Sequence, residues 1–211
     1  GARGLHHRLW ESVDNAIDEA ANDFADEVTV TLHQDGSASV WDNGRGLPVD
    51  PHPTLKIPGL QVIFTKLHAG GKFDHKNYSY SGGLHGVGAS VVNALSKWLT
   101  VDTYRDWSHY RMRFETITDK KTGKVLPGRP VGELERVSNT RKRGTLVRFL
   151  PDNVIFEETA FNGELVARRL RELAYLNKGL KVTFTDERAK DGGNEPRVFQ
   201  YTGGIVAYVQ F

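Results

Sequence analysis

EVTVTLHQDGSASVWD, residues 27 to 42, decides the fold class. Val28, Val30 and Leu32 alternate with Thr29 and Thr31, the two-residue period of a strand with one buried face. Asp35-Gly36 is a hairpin turn signal, and residues 38–42 form the returning strand. A tight turn between two short strands demands antiparallel pairing. A second hairpin is predicted over 99–105 and 109–116, with single strands at 145–150, 180–185 and 198–201. Helices are predicted over 5–22, 60–68, 89–97 and 162–177, the last closed by Gly179. Leu9, Val13 and Ile17 supply the four-residue spacing of the first. Residues 118–143 are polar and basic and read as a long loop. Helices interleaved with hairpins favour an α+β sandwich, with helices on one face of a mixed, mainly antiparallel sheet, over a parallel doubly wound fold.

The bulk properties exclude several classes. Twenty-eight Lys and Arg against 26 Asp and Glu give a net charge of +2, no commitment to a polyanion. With no cysteine there is no disulfide, thiolate metal site or thiol nucleophile, which suits a reducing cytoplasm. No apolar stretch approaches membrane-spanning length, so no membrane partner is expected. The 211 residues read as one domain, 1–211, cut from a longer protein.

Three stretches carry chemistry. On the first helix, successive residues turn by about 100°, so His7, Asn15 and Asp18 fall within about 40° of Glu11, with Glu19 slightly further round. Trp10, Val13 and Ile17 lie on the far side, toward the sheet. The polar face is either simply solvated or a site, and Asn15 argues for the latter. Asparagine is a poor interior helix residue, and its amide oxygen ligates hard cations. On the second strand Asp42 shares a face with Ala38 and Val40. It is either a turn former before Asn43-Gly44 or a desolvated acceptor for a ligand's N–H. Last, Gly83-x-x-Gly86-x-Gly88 precedes a helix but matches neither the P-loop nor the dinucleotide fingerprint. It is a mobile surface loop or a phosphate cradle, to which Lys72 can add charge.

In order along the chain stand Glu11-Ser-Val-Asp-Asn15-Ala-Ile-Asp18-Glu19-Ala, Asp42-Asn-Gly-Arg-Gly46, Leu67-His-Ala-Gly-Gly-Lys-Phe73, Ser81-Gly-Gly-Leu-His-Gly-Val-Gly88 and Arg143-Gly-Thr145. This set resembles the GHKL ATPases, most closely the ATPase domains of bacterial type IIA DNA topoisomerases, the gyrase B subunit and its topoisomerase IV counterpart. The resemblance runs from about residue 4 to past 185. It implies the Bergerat fold, ATP as substrate and Mg²⁺ as cofactor. Glu11 would be the general base, supported by His7, and Asn15 the Mg²⁺ ligand. Asp42 would accept from the adenine amino group with Thr145 nearby, and Gly46 would let the ring lie close. Lys72, Leu84, His85, Gly86, Val87 and Gly88 would surround the phosphates, and Tyr78 would touch the base. Asn15, Glu19, Asp42, Arg45, Gly46, Pro48, Arg105 and Thr145 would form the aminocoumarin inhibitor pocket, with Arg45, Pro48 and Arg105 at its mouth.

The function implied is an ATP-hydrolysing domain that powers DNA strand passage and changes in supercoiling. Implied partners are a second copy of the same polypeptide, joined through an N-terminal arm absent before Gly4, a DNA-cleaving subunit of the gyrase A type in a heterotetramer, and DNA. A downstream transducer domain, which would supply a lysine to the γ-phosphate, is expected beyond Phe211. The alternatives are a topoisomerase IV subunit, or a nucleotide-switched dimerisation module with little turnover. A kinase of the same fold is disfavoured by the His68-to-Phe73 run. Asn43 departs from the second aspartate common in gyrases. The run Thr140-Arg141-Lys142-Arg143 could touch DNA, although a solvated loop is the simpler reading.

Overall fold

The computed structural model describes residues 2–66, 88–156, 160–190 and 192–203. Four helices and nine strands follow in the order α1 (Ala2–Ala21), β1 (Glu27–Leu32), β2 (Ala38–Asp42), α2 (Gly59–Thr65), α3 (Gly88–Ala94), β3 (Ser96–Arg105), β4 (Ser108–Thr118), β5 (Val125–Pro130), β6 (Glu135–Asn139), β7 (Gly144–Pro151), α4 (Gly163–Leu176), β8 (Lys181–Asp186) and β9 (Arg197–Phe199) among the described residues. The strands form one sheet in the order β5-β4-β3-β7-β2-β1-β8-β9, with β6 also paired to β4. Every pairing is antiparallel except β1 with β8. The expected mixed, mainly antiparallel sheet is thus the one observed.

Strand alternation builds the core in rows. Val30, Val40, Val147, Val101 and Met112 stand opposite one another across β1, β2, β7, β3 and β4, and all are buried. The neighbouring row is Leu32, Ala38, Phe149, Leu99 and Phe114, again all buried. Onto this face α1 presents Leu5, Leu9, Val13 and Ala16, and α4 presents Val166, Leu170 and Ala174, in one continuous cluster. Each Val, Leu, Phe or Met among them contributes about 1.5–3 kcal/mol by leaving water. The opposite face carries Thr29, Thr31, Thr183 and Arg148, only partly buried. The helices therefore pack on one face, and the site lies at the seam between α1 and that face.

Local chemistry fixes the ends. Ser37 N and Oγ donate to Asp35 Oδ1, and Gly36 takes φ +89°, so the β1–β2 turn is locked by the residues that signalled it. Asn162 caps α4 by accepting from Leu165 N. The helix expected over 89–97 instead gives way after Ala94, because Ser96 and Trp98 enter β3 around a bulge opposite Pro151. The expected loop over 118–143 is corrected too, since it contains β5 and β6. Both lie at the open side of β4, and β6 is exposed at every position. Strands that bury little leave no clear alternation to read; backbone pairing holds them, helped by Asn93 Nδ2, which donates to the Gly128 carbonyl, and Arg136 Nη2, which donates to Ser108 Oγ. No helix among the described residues is long and apolar enough to cross a membrane.

Candidate nucleotide-binding site

Asp42 is the last residue of β2, one step beyond Val40 on the buried face, and Thr145 of β7 stands directly opposite it. Both are buried, at 8% and 6% exposure. One Asp42 oxygen, Oδ1, accepts from the Gly44 N–H at 2.9 Å. Burial pushes the Asp42 carboxyl up to about 7, and the nearby Glu19 charge adds to the shift. The Gly44 N–H and Arg45 offset part of it. The result is a carboxyl with little solvation, poised to gain from any donor brought to it.

That carboxyl opens into a narrow slot. Val40, Val147, Phe64 and Ala89 form apolar walls, and Ser12, Asn15, Ala16 and Thr145 complete the lining. Asn15 is buried, and its Oδ1 has no hydrogen-bond partner among the described residues. An orphaned amide oxygen in an otherwise satisfied wall is a ligand-binding atom or a cost of folding. The slot pairs an apolar space with one carboxyl acceptor, two hydroxyls and one free amide oxygen, which is the complement of a heteroaromatic ring bearing an N–H donor and trailing polar groups.

The remaining expected residues sort around it. Glu19 is buried and binds Arg45: Arg45 Nη2 donates to Oε1 at 2.6 Å and the Arg45 backbone N–H to Oε2 at 3.1 Å. The Arg45 guanidinium also lies 3.8 Å from the centre of the Phe24 ring. Glu11 is half-buried with His7 Nε2 at 3.5 Å, one turn earlier on α1. A Cβ at Gly88 would sit 2.5 Å from Glu11 Oε2, so the first residue of α3 presses directly on that carboxylate. Gly46, at φ +76°, abuts β3: a Cβ there would meet Thr103 Oγ1 and the Tyr104 carbonyl at 2.9 Å. This contact alone requires glycine at 46. Pro48 accepts from Leu60 N through its carbonyl and packs against Gly59, fixing the segment between β2 and α2. Arg105 joins Arg45 in a separate basic cleft beside the slot. Lys72, Tyr78, Leu84, His85, Gly86 and Val87 lie outside the described residues.

Sequence reasoning missed Ser12, Phe64 and Ala89, which reach the slot from three different helices. Val147 carried a signal, being two residues after Thr145 on the same strand face. Asn43 turns away from the slot. Its Oδ1 accepts from Asp26 N and Glu27 N, and its Nδ2 donates to Asp26 Oδ1, so this departure from the family pattern holds the start of β1. Among the described residues no group of three or more His, Asp or Glu could hold a metal.

Fold and slot together define a class, an α+β sandwich with a ligand slot between its helices and the buried face of its sheet. The chain belongs to the histidine kinase-, DNA gyrase B- and HSP90-like ATPase family, which matches residues 1–154. It is 50% identical over all 211 residues to the gyrase B protein of Thermotoga maritima, covering 31% of that protein. It is 51% identical to the topoisomerase 4 B protein of Enterococcus faecalis, covering 29% of that protein. Among solved structures it superposes on the 43K ATPase domain of Thermus thermophilus gyrase B, crystallised with an aminocoumarin, with a TM-score of 0.80 and 38% identity, over 100% of this chain and 50% of that one. The chain spans about a third of the length of the curated relatives it matches.

Proposed function

We propose that the chain is the ATP-binding and hydrolysing part of a type II DNA topoisomerase, from its gyrase B or topoisomerase IV B component, and that it powers strand passage. The observation that carries the proposal is the desolvated Asp42 carboxyl beside Thr145 in an apolar slot, facing the orphaned Asn15 oxygen. Asp42 and Thr145 bind the adenine edge. Asn15 Oδ1 fits Mg²⁺, since it is a buried, unpaired hard oxygen, and the ion when bound neutralises charge on the phosphates. Glu11 takes the proton of the attacking water, and His7 holds its carboxylate. Lys72, Leu84, His85, Gly86, Val87 and Gly88 bind the phosphates, and Tyr78 touches the base. Arg45, Pro48 and Arg105 order the pocket mouth, where aminocoumarins would bind. The working enzyme pairs two copies of this polypeptide with a DNA-cleaving partner in the cytoplasm and acts on DNA.

Two substitutions test this. Asp42→Asn keeps the shape but loses the charge-assisted bond, so titration calorimetry should show ATP binding weaker by about 1.5–3 kcal/mol. Glu11→Ala in the complete protein should bind ATP nearly normally and hydrolyse it about 10²–10⁴-fold more slowly. Unchanged ATP affinity in folded Asp42→Asn would sink the adenine site, and full turnover without Glu11 would sink the mechanism.

A further inference from the structure

Beside the nucleotide slot the tip of the β3–β4 hairpin and the segment 140–143 face each other across an open cleft, lined by Arg45, Arg105, Asp106, Trp107, Arg141, Lys142 and Arg143. Five cations share it. Glu19 neutralises Arg45 and the exposed Asp106 pairs with Arg105, so two of the five charges are offset. Arg141, Lys142 and Arg143 make no ion pair with a described residue. Arg105 Nη1 is buried and has no hydrogen-bond partner among the described residues. Like charges held this close repel unless an anion joins them.

The aromatic groups narrow the choice of anion. Trp107 is 65% exposed, yet its backbone is fixed: Asp106 and Trp107 take φ +51° and +65°, the left-handed pair of a tight hairpin turn. The indole therefore stands out on a rigid tip. The Arg141 guanidinium lies 5.3 Å from its ring centre, and Lys142 Nζ lies 4.4 Å from that of Trp41. A free phosphate explains the cations but not the presented indole. A membrane would want several apolar groups on a convex surface, and this surface is concave with one. Cations interleaved with an exposed ring are what a single nucleic-acid strand needs, phosphates on the charges and an unpaired base on the ring. A duplex keeps its base faces stacked and would leave Trp107 unused.

We infer that this cleft binds a single strand of nucleic acid, with its phosphates on Arg105, Arg141, Lys142 and Arg143 and a base on Trp107. The cleft shares Arg45 and Arg105 with the proposed pocket mouth, whereas Trp107, Arg141 and Lys142 lie outside the slot that holds the proposed ATP chemistry.

The test uses fluorescein-labelled oligothymidylate of about 12 nucleotides and the 211-residue chain. Anisotropy should report binding whose log K falls against log salt with a slope of about −3, as four phosphate contacts on a single strand give. The Arg141→Glu/Lys142→Glu pair should lower both affinity and slope. Trp107→Ala should weaken binding by about ten-fold and keep the slope, and Trp107→Phe should recover most of the loss. Melting temperature and ATP affinity, followed in each variant, should stay unchanged, so failure of the ATP reading would be seen separately. Salt-independent binding, no binding at about 50 mM salt, equal affinity for a duplex of the same length, or full affinity in either the double variant or Trp107→Ala overturns the inference.

Discussion

Asp42 sets recognition against stability. Its folded carboxyl titrates at about 7 against an ordinary 3.8, so between those values the folded chain holds a proton that the unfolded chain has lost. The group's contribution to stability is complete below the lower value and is lost as pH rises through the upper one. Above neutrality the apo fold carries a buried charge that the Gly44 N–H and Arg45 compensate only in part, with a ceiling of about 4 kcal/mol at roughly 1.4 kcal/mol per unit. Asp42→Asn should therefore melt higher than the unsubstituted chain at pH 8 and by little at pH 4, while binding ATP more weakly. Calorimetric melts at the two pH values decide it. A variant that melts lower at pH 8 would show that the carboxylate is compensated without ligand. Stability given up for function at one residue is common in binding sites.

At the scale of elements, the register of β7 against β2 delivers Thr145 to Asp42, and Gly144 makes that register possible. It sits at φ +142°, and a Cβ there would overlap the Asp42 carbonyl oxygen and the Trp41 ring. Gly144→Ala must push the two strands apart where the slot is built. Denaturant unfolding should show a loss above about 3 kcal/mol, or no folded protein. Gly123, also at positive φ but with nothing within 4 Å, is the control. Its alanine variant should lose only about 1 kcal/mol, and equal losses at the two sites would refute the close-approach argument. Gly144 also marks how far the sequence could be read. The β1–β2 hairpin and α1 were legible because half of each is buried, which writes a period into the residues. The helical face arithmetic put Asn15 and Glu11 one turn apart and toward a site, and strand alternation put Asp42 inward. β5 and β6 were not legible, because exposed edge strands impose no period. The basic cleft was half legible: residues 140–143 stood out as a charge run, but nothing local says that Trp107, more than thirty positions earlier, stands across from them.

Across the whole molecule, protection should follow position in the sheet. β7 lies between β3 and β2, with Val147 and Phe149 in the buried rows. β6 is exposed throughout, and β9 is a three-residue edge. Native-state hydrogen exchange should find the slowest amides in β7, β3 and β2, and exchange faster by orders of magnitude in β6 and β9. Uniform protection across the sheet would mean that the edges unfold only with the core.

The parallel pair sets the timetable on which the molecule comes into being. β1 meets β2 within a few residues, but its other edge waits for β8, whose Lys181 follows Glu27 by 154 residues. On a ribosome the hairpin that carries Asp42 is made early. It must stand with one row of backbone groups bare while most of the domain is still being translated. Such an edge is a template for the wrong neighbour. Nascent chains arrested between β7 and β8 should be the aggregation-prone and chaperone-dependent ones, and release should come abruptly once residue 186 clears the exit tunnel.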